Sequence, residues 1–262
     1  MTRLALALAA LAVSACATLP SAPPAAVADL APTGKLRAVI NYGNPILANK
    51  GADGLPFGVS VDLARELAKR LGVEADLVTV TSAGRSVEVL AQGQVDVGFF
   101  ALDPARAATT AFSAAYVQIE GAYLVRNESP LKANEDVDRD GIRVAVGNRS
   151  AYDLYLARNL KKAKIERAPT SPAVVDYFVA NKLDVAAGVK QQLEADAKRI
   201  PGLRLLPGRF MVINQAMGMA RGKAAGAKYL ADFVEDMKAS GFVAQSLARH
   251  RIEGAIVAPP AP

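Results

Sequence analysis

The chain has 262 residues, is 52% hydrophobic and 21% charged, and carries a formal charge of +6, with a sequence pI near 9.4. That composition is rich enough to bury a core and excludes a disordered chain, while the length allows one large domain or two modest ones. A single cysteine and a single histidine exclude a disulfide framework and a Cys/His metal centre, so no metal or cofactor is expected.

The chain opens as an export signal: Met1, Thr2 and Arg3 give a short positive end, and Leu4 to Val13 form an uncharged run too brief to span a bilayer comfortably. A membrane-spanning helix is the weaker reading. The run ends in Val13-Ser14-Ala15-Cys16, which resembles the bacterial lipobox, where the thiol is diacylated and Cys16 becomes the mature N-terminus. A buried free thiol and a cut at Ala15-Cys16-Ala17 that leaves no lipid are the other readings of Cys16. Residues 1–16 are assigned to the signal, and residues 17–33, rich in Ala and Pro with one charge, to a semi-rigid tether. Loss of Arg3 with the leader lowers the charge from +6 to +5. The densest basic cluster, Arg158, Lys161, Lys162, Lys164 and Arg167, has no interleaved aromatics and reads as a solvated face, so no nucleic acid is expected.

From Lys35 the chain alternates short apolar runs with amphipathic stretches, the pattern of βαβ units around mainly parallel sheets. Leu36 to Ile40 is a predicted strand. Gly58 to Gly72 is a predicted helix, with Val61, Ala64, Leu67, Ala68 and Leu71 on one face, Ser60 as its cap and Gly72 as its stop. Leu77 to Val80, a helix over Arg85 to Gln92 and a strand over Val95 to Phe100 complete the first α/β unit. The second half echoes it: Val87 to Val97 matches Val175 to Val185, aligning Asp96 with Asp184, and Leu36 to Ile40 has a counterpart in Ile142 to Val146. Two extended segments, Tyr116 to Arg126 and Phe210 to Met219, are the hinge candidates. A helix over Lys223 to Lys238 and a shorter one from Phe242 to about His250 should pack back on the first lobe.

Taken in order, Gly34-Lys-Leu-Arg-Ala-Val-Ile, Gly58-Val-Ser-Val-Asp62-Leu-Ala-Arg-Glu-Leu-Ala-Lys-Arg-Leu-Gly72, Gly93-Gln-Val-Asp96-Val, Pro104-Ala-Arg106 and Phe112-Ser113-Ala-Ala-Tyr116 resemble the extracellular solute-binding proteins of the polar amino-acid ABC importers, family 3. The likeness runs over roughly residues 34 to 250. It implies an α/β periplasmic binding protein fold of type II, two lobes closing like a flytrap on a central cleft. Lobe 1 would comprise residues 34–118 and 215–262, and lobe 2 residues 119–214. It further implies a periplasmic monomer that delivers a small carboxylate-bearing solute to an ABC importer permease, and the lipobox-like run adds an expected membrane anchor through lipidated Cys16.

Ligands in open α/β sheets gather at the carboxyl ends of strands, which singles out Asn41, Tyr42, Asn44, Phe99 to Asp103, Asn148 to Ser150 and Gly188 to Lys190. Arg106 stands six residues before Phe112-Ser113, like the family's carboxylate-binding arginine, and a guanidinium offers a planar pair of donors that matches a carboxylate. Asp103-Pro104 should cap a short helix before it. Phe100 lies in a run that is two residues shorter than the family's and lacks its hydroxyl groups. Ser150 opens a helix with capping-box form, whose N–H groups favour an anion; a simple cap is an equally good reading. Arg149 occupies a position where relatives often have glycine. Tyr42 offers a stacking face, although Asn41-Tyr-Gly-Asn44 also reads as a turn. Asp62 and Asp96 are expected to order their elements.

Relatives place an acid for the ligand's ammonium five residues after the aspartate matched by Asp184. Val189 stands there, followed by the cation Lys190. Either Asp103, Glu120 or another acid substitutes, or the ligand is not a standard amino acid. A dehydratase-like enzyme acting on a small cyclic carboxylate is the rival function. No nucleophile elbow, phosphate loop or metal-spaced cluster supports it, and the one histidine, His250, lies in the terminal helix.

Overall fold

A computed structural model describes residues 22–262; the leader and Cys16 lie outside the described residues. The chain begins with α1 (Pro24–Leu30), β1 (Lys35–Asn41), the short pair β2 (Asn49–Lys50) and β3 (Pro56–Phe57), α2 (Val59–Leu71), β4 (Glu74–Val80), α3 (Ala83–Ala91), β5 (Val97–Ala101) and α4 (Pro104–Ala107). The long strand β6 (Thr110–Arg126) leads into β7 (Arg143–Gly147), α5 (Ala151–Asn159), β8 (Lys164–Ala168), α6 (Val174–Ala180), β9 (Val185–Val189), α7 (Lys190–Arg199) and β10 (Leu203–Leu205). A second long strand, β11 (Met211–Ala220), returns to α8 (Ala224–Ala239), α9 (Phe242–Arg249) and β12 (Ile256–Val257).

Two parallel three-stranded units of the same order, β4-β1-β5 and β8-β7-β9, flank the antiparallel pair of β11 and β6. These are the two lobes. The echo between Asp96 and Asp184 has a physical cause. Each aspartate sits just before the strand of its unit that borders the β11 and β6 pair, β5 or β9, and accepts a backbone N–H from the neighbouring strand: Arg37 to Asp96 at 3.1 Å and Arg143 to Asp184 at 2.8 Å. In return, each aspartate's own N–H donates to the carbonyl of the same arginine. One carboxylate thus fixes the register of two parallel strands in each lobe.

Amphipathicity places the helices. The buried face of α2 includes Val61, Ala64, Leu67, Ala68 and Leu71, and fully burying one such leucine stabilises by about 1.5–3 kcal/mol. Gly72 ends this helix in the left-handed region at φ 71, where a residue without Cβ carries no strain. Ser60 is not the cap. Gly58 occupies that position without a side-chain bond, and Ser60 is buried inside the first turn with its N–H donated to Leu47 O. Helix α9 is held to α2 by Asp62, whose Oδ2 accepts from Ser246 Oγ at 2.6 Å and Arg249 Nη1 at 3.1 Å and lies 2.9 Å from His250 Nε2.

The tether expected over residues 17–33 does not extend through residues 24–30. Pro24–Leu30 is a helix packed on α8, with Ala26 and Leu30 buried. Asp29 accepts the Gly226 N–H at 2.9 Å, and Lys223 donates to Asp29 O at 2.9 Å.

The two segments expected to form the hinge are adjacent antiparallel strands. Strand β6 pairs with β11 along most of its length, with register breaks between Gln215 and Gly218. It also pairs with β9 through Gly121–Leu124, so it runs from one lobe into the other.

Candidate functional site

Between the lobes lies a cavity walled by the carboxyl ends of β1 and β5, the first turns of α3 and α5, and the crossing strand β11. Its polar lining includes Asn41, Asn44, Ser60, Arg106, Ser150, Ser171 and Gln215; Leu47, Phe99, Val189 and Ile213 supply apolar surface.

Arg106 reaches the cavity because Asp103 caps α4 by accepting the Ala105 N–H at 2.9 Å, with Pro104 at the helix start. Its guanidinium is buried, 5% of the residue being exposed. Nη1 donates to Ala101 O at 3.1 Å, and Nη2 donates across the cleft to Arg149 O at 3.0 Å. Two of its five N–H groups are thereby used, and the rest have no partner among the described residues. It forms no ion pair with an acid there. Burial pulls its pKa down to about 10, Asp103 opposing and Arg149 adding to the shift, which leaves a cation throughout the neutral range.

The opposite wall is the start of α5. Ser150 Oγ accepts the Asp153 N–H at 3.0 Å. Asp153 turns its other end to the Arg149 N–H at 2.7 Å, one residue beyond the N-cap N–H that a capping box would use. The N–H groups of Ala151 and Tyr152 belong to the unpaired first turn, and both residues line the cavity. A cationic fork from one lobe and a helix start from the other therefore converge on one space suited to an anion. Asn44 Oδ1 is shut off from solvent and has no hydrogen-bond partner.

Asn41, Asn44, Phe100, Arg106 and Ser150 line this space, whereas Tyr42, Asp103, Arg149 and Lys190 do not. Asn41 Oδ1 accepts the Gly43 N–H at 2.8 Å, making the turn that carries Tyr42 off to pack on the core. Asp103 Oδ2 is taken by Arg158 Nη2 at 2.7 Å. Arg149 offers its carbonyl, and its side chain pairs with Glu88 on the other lobe. Lys190 is bonded to Glu120 Oε2 at 3.0 Å, and Arg209 holds Glu120 Oε1 at 2.7 Å. Neither Asp103 nor Glu120 is available as the substitute acid. Phe100 buries its ring beside Phe112, centroids 6.2 Å apart. Ser171, Gln215 and Ile213 are cavity residues that sequence reasoning missed, since no local motif marks them.

Arg149 sits in the left-handed region at φ 57, the conformation for which glycine is suited. Its stem crosses Gly84, where an added Cβ would lie 3.1 Å from Arg149 Cβ. The lobes also meet through Arg158 and Asp103, and through Gln191 Nε2, which donates to Glu253 O at 3.1 Å.

The sequence profile of the bacterial extracellular solute-binding proteins, family 3, matches residues 36–251. No curated protein sequence matches the chain. Among solved structures, a mutant of ArgBP from T. maritima is 21% identical with a TM-score of 0.73, covering 86% of this chain and 98% of that one. A solute receptor for L-cysteine of Neisseria gonorrhoeae is 20% identical with a TM-score of 0.74, covering 85% and 92%. An ancestral amino acid-binding protein described as a precursor of cyclohexadienyl dehydratase is 21% identical with a TM-score of 0.72, covering 85% and 98%. At these identities the structures share the two-lobe fold.

Proposed function

Because this chain belongs to the bacterial extracellular solute-binding proteins of family 3, we propose that it captures a small carboxylate-bearing solute between its lobes and presents it to an ABC importer permease. The observation that carries this reading is Arg106: a buried guanidinium in the interlobe cavity, without an acidic partner among the described residues. A buried charge is tolerated when a partner balances it, and a ligand carboxylate fits that place. Ser150 and the start of α5 would hold the same carboxylate from the second lobe, with Asn41 and Asn44 beside the solute's body.

Hinge closure supplies the signal. Ligand bridging Arg106 and α5 favours the closed arrangement, and the closed surface is what a permease recognises. We place the lobe boundaries within β6 and β11, near residues 118 and 215, with lipidated Cys16 tethering a monomer in the periplasm. We infer binding without turnover: among the described residues that line the cavity, none is the carboxylate or histidine that would move a proton in a dehydration step.

Native mass spectrometry of protein purified without denaturation tests the reading. Wild type should retain a small acidic molecule, and Arg106→Ala should lose it while remaining folded by circular dichroism. Equal retention by both proteins would remove Arg106 as the anchor.

A further inference from the structure

The charges around the cavity narrow the solute class beyond a carboxylate. Among the described residues that line it, Arg106 is the only charged one. The acids on the surrounding elements are already engaged: Asp62 by Arg249, Glu88 by Arg149 and Arg85, Asp103 by Arg158, Asp153 by Arg167 and Glu120 by Lys190 and Arg209. A zwitterion would leave its ammonium in this space without a carboxylate, and burying a cation without a partner is strongly unfavourable. A monoanion would bring the buried charge to zero.

The rest of the polar lining is uncharged, with Asn41, Asn44, Ser60, Ser171 and Gln215 around the space, and a hydroxyl can donate to or accept from such groups without bringing a charge. Resting on the capture reading above, we propose that the solute is a small hydroxy-carboxylate carrying one negative charge and no ammonium group.

The test titrates the full-length protein with shape-matched pairs that differ only in hydroxyl against ammonium: glycolate and glycine, L-lactate and L-alanine, D-lactate and D-alanine. Calorimetry should show at least one hydroxy acid binding about tenfold or more tighter than its amino-acid partner, and Arg106→Ala should abolish that binding. Val189→Asp, which places a carboxylate in the lining, should reverse the preference; the wild-type panel decides should that variant not fold. Arg106-dependent binding in which the amino acids equal or exceed the hydroxy acids overturns this proposal and leaves the capture reading intact. Absence of binding by every member, together with no retained molecule in native mass spectrometry, overturns both.

Discussion

Arg149 adopts a left-handed backbone conformation that turns its carbonyl to the Arg106 guanidinium, while its side chain crosses to the other lobe and pairs with Glu88. One residue thus contributes twice to lobe contact. Exposed pairs are individually weak, but this one exists only when the lobes meet, so its whole effect falls on closure.

Arg149→Gly relieves the left-handed strain and deletes the ion pair, and Glu88→Gln deletes the pair alone. Both should shift the protein toward open forms and weaken ligand binding by about two- to fivefold, read as a larger radius of gyration in small-angle scattering and a higher Kd. Gly84→Ala, whose Cβ would crowd the Arg149 stem, should act in the same direction. Unchanged scattering in all three variants would show that closure does not depend on this contact.

Closure should also be acid-sensitive. Hydrogen bonds from Arg149 first, and Arg85 second, hold the Glu88 carboxyl below its ordinary value of 4.5. The closed form therefore binds fewer protons at Glu88 than the open form. Its advantage is present above the ordinary value and fades as pH falls through the depressed one. Interlobe fluorescence transfer should report opening on the acid side of about pH 4.5, and Glu88→Gln should flatten that part of the profile. Superimposable acid limbs in wild type and variant would refute the assignment.

Asp62 gathers Ser246, Arg249 and His250 onto one carboxylate oxygen. Asp62→Asn should cost about 1–3 kcal/mol and loosen α9 from α2, detected as a lowered Tm and faster amide exchange across Phe242–Arg249. Ligand affinity should stay within twofold at temperatures where the variant is folded, because this cluster lies outside the cavity lining.

Leu30 is fully buried in α1 against the main core. Leu30→Ala should destabilise by about 2–5 kcal/mol, the cost of a core truncation; a change below about 0.5 kcal/mol would mean that α1 is dispensable to the body.

Local patterns in the sequence carried much of the architecture. The spacing of Val61, Ala64, Leu67 and Leu71 before Gly72 specifies α2, and the repeated aspartates Asp96 and Asp184 mark equivalent strand starts because both do the same backbone work. Helix α1 was hidden by an Ala/Pro composition without amphipathic contrast; its stability comes from docking on α8, nearly 200 residues away in sequence. The same holds at the site. Arg106 was legible from its motif, but pairings such as Asp103 with Arg158, separated by 55 positions, decide which polar side chains face inward. Three candidates left the site for that reason: Asp103 and Lys190 are consumed by salt bridges, and Arg149 spends its charge on the opposite lobe.

Strand β6 belongs to both lobes. Its 17 residues pair with β11, β9, β10 and β12, so a single rod of backbone completes the sheet of both halves, and removing either half would bare an unpaired edge. Heat should therefore dismantle the protein in one cooperative step, and a calorimetric scan should trace a single endotherm whose van't Hoff and calorimetric enthalpies coincide.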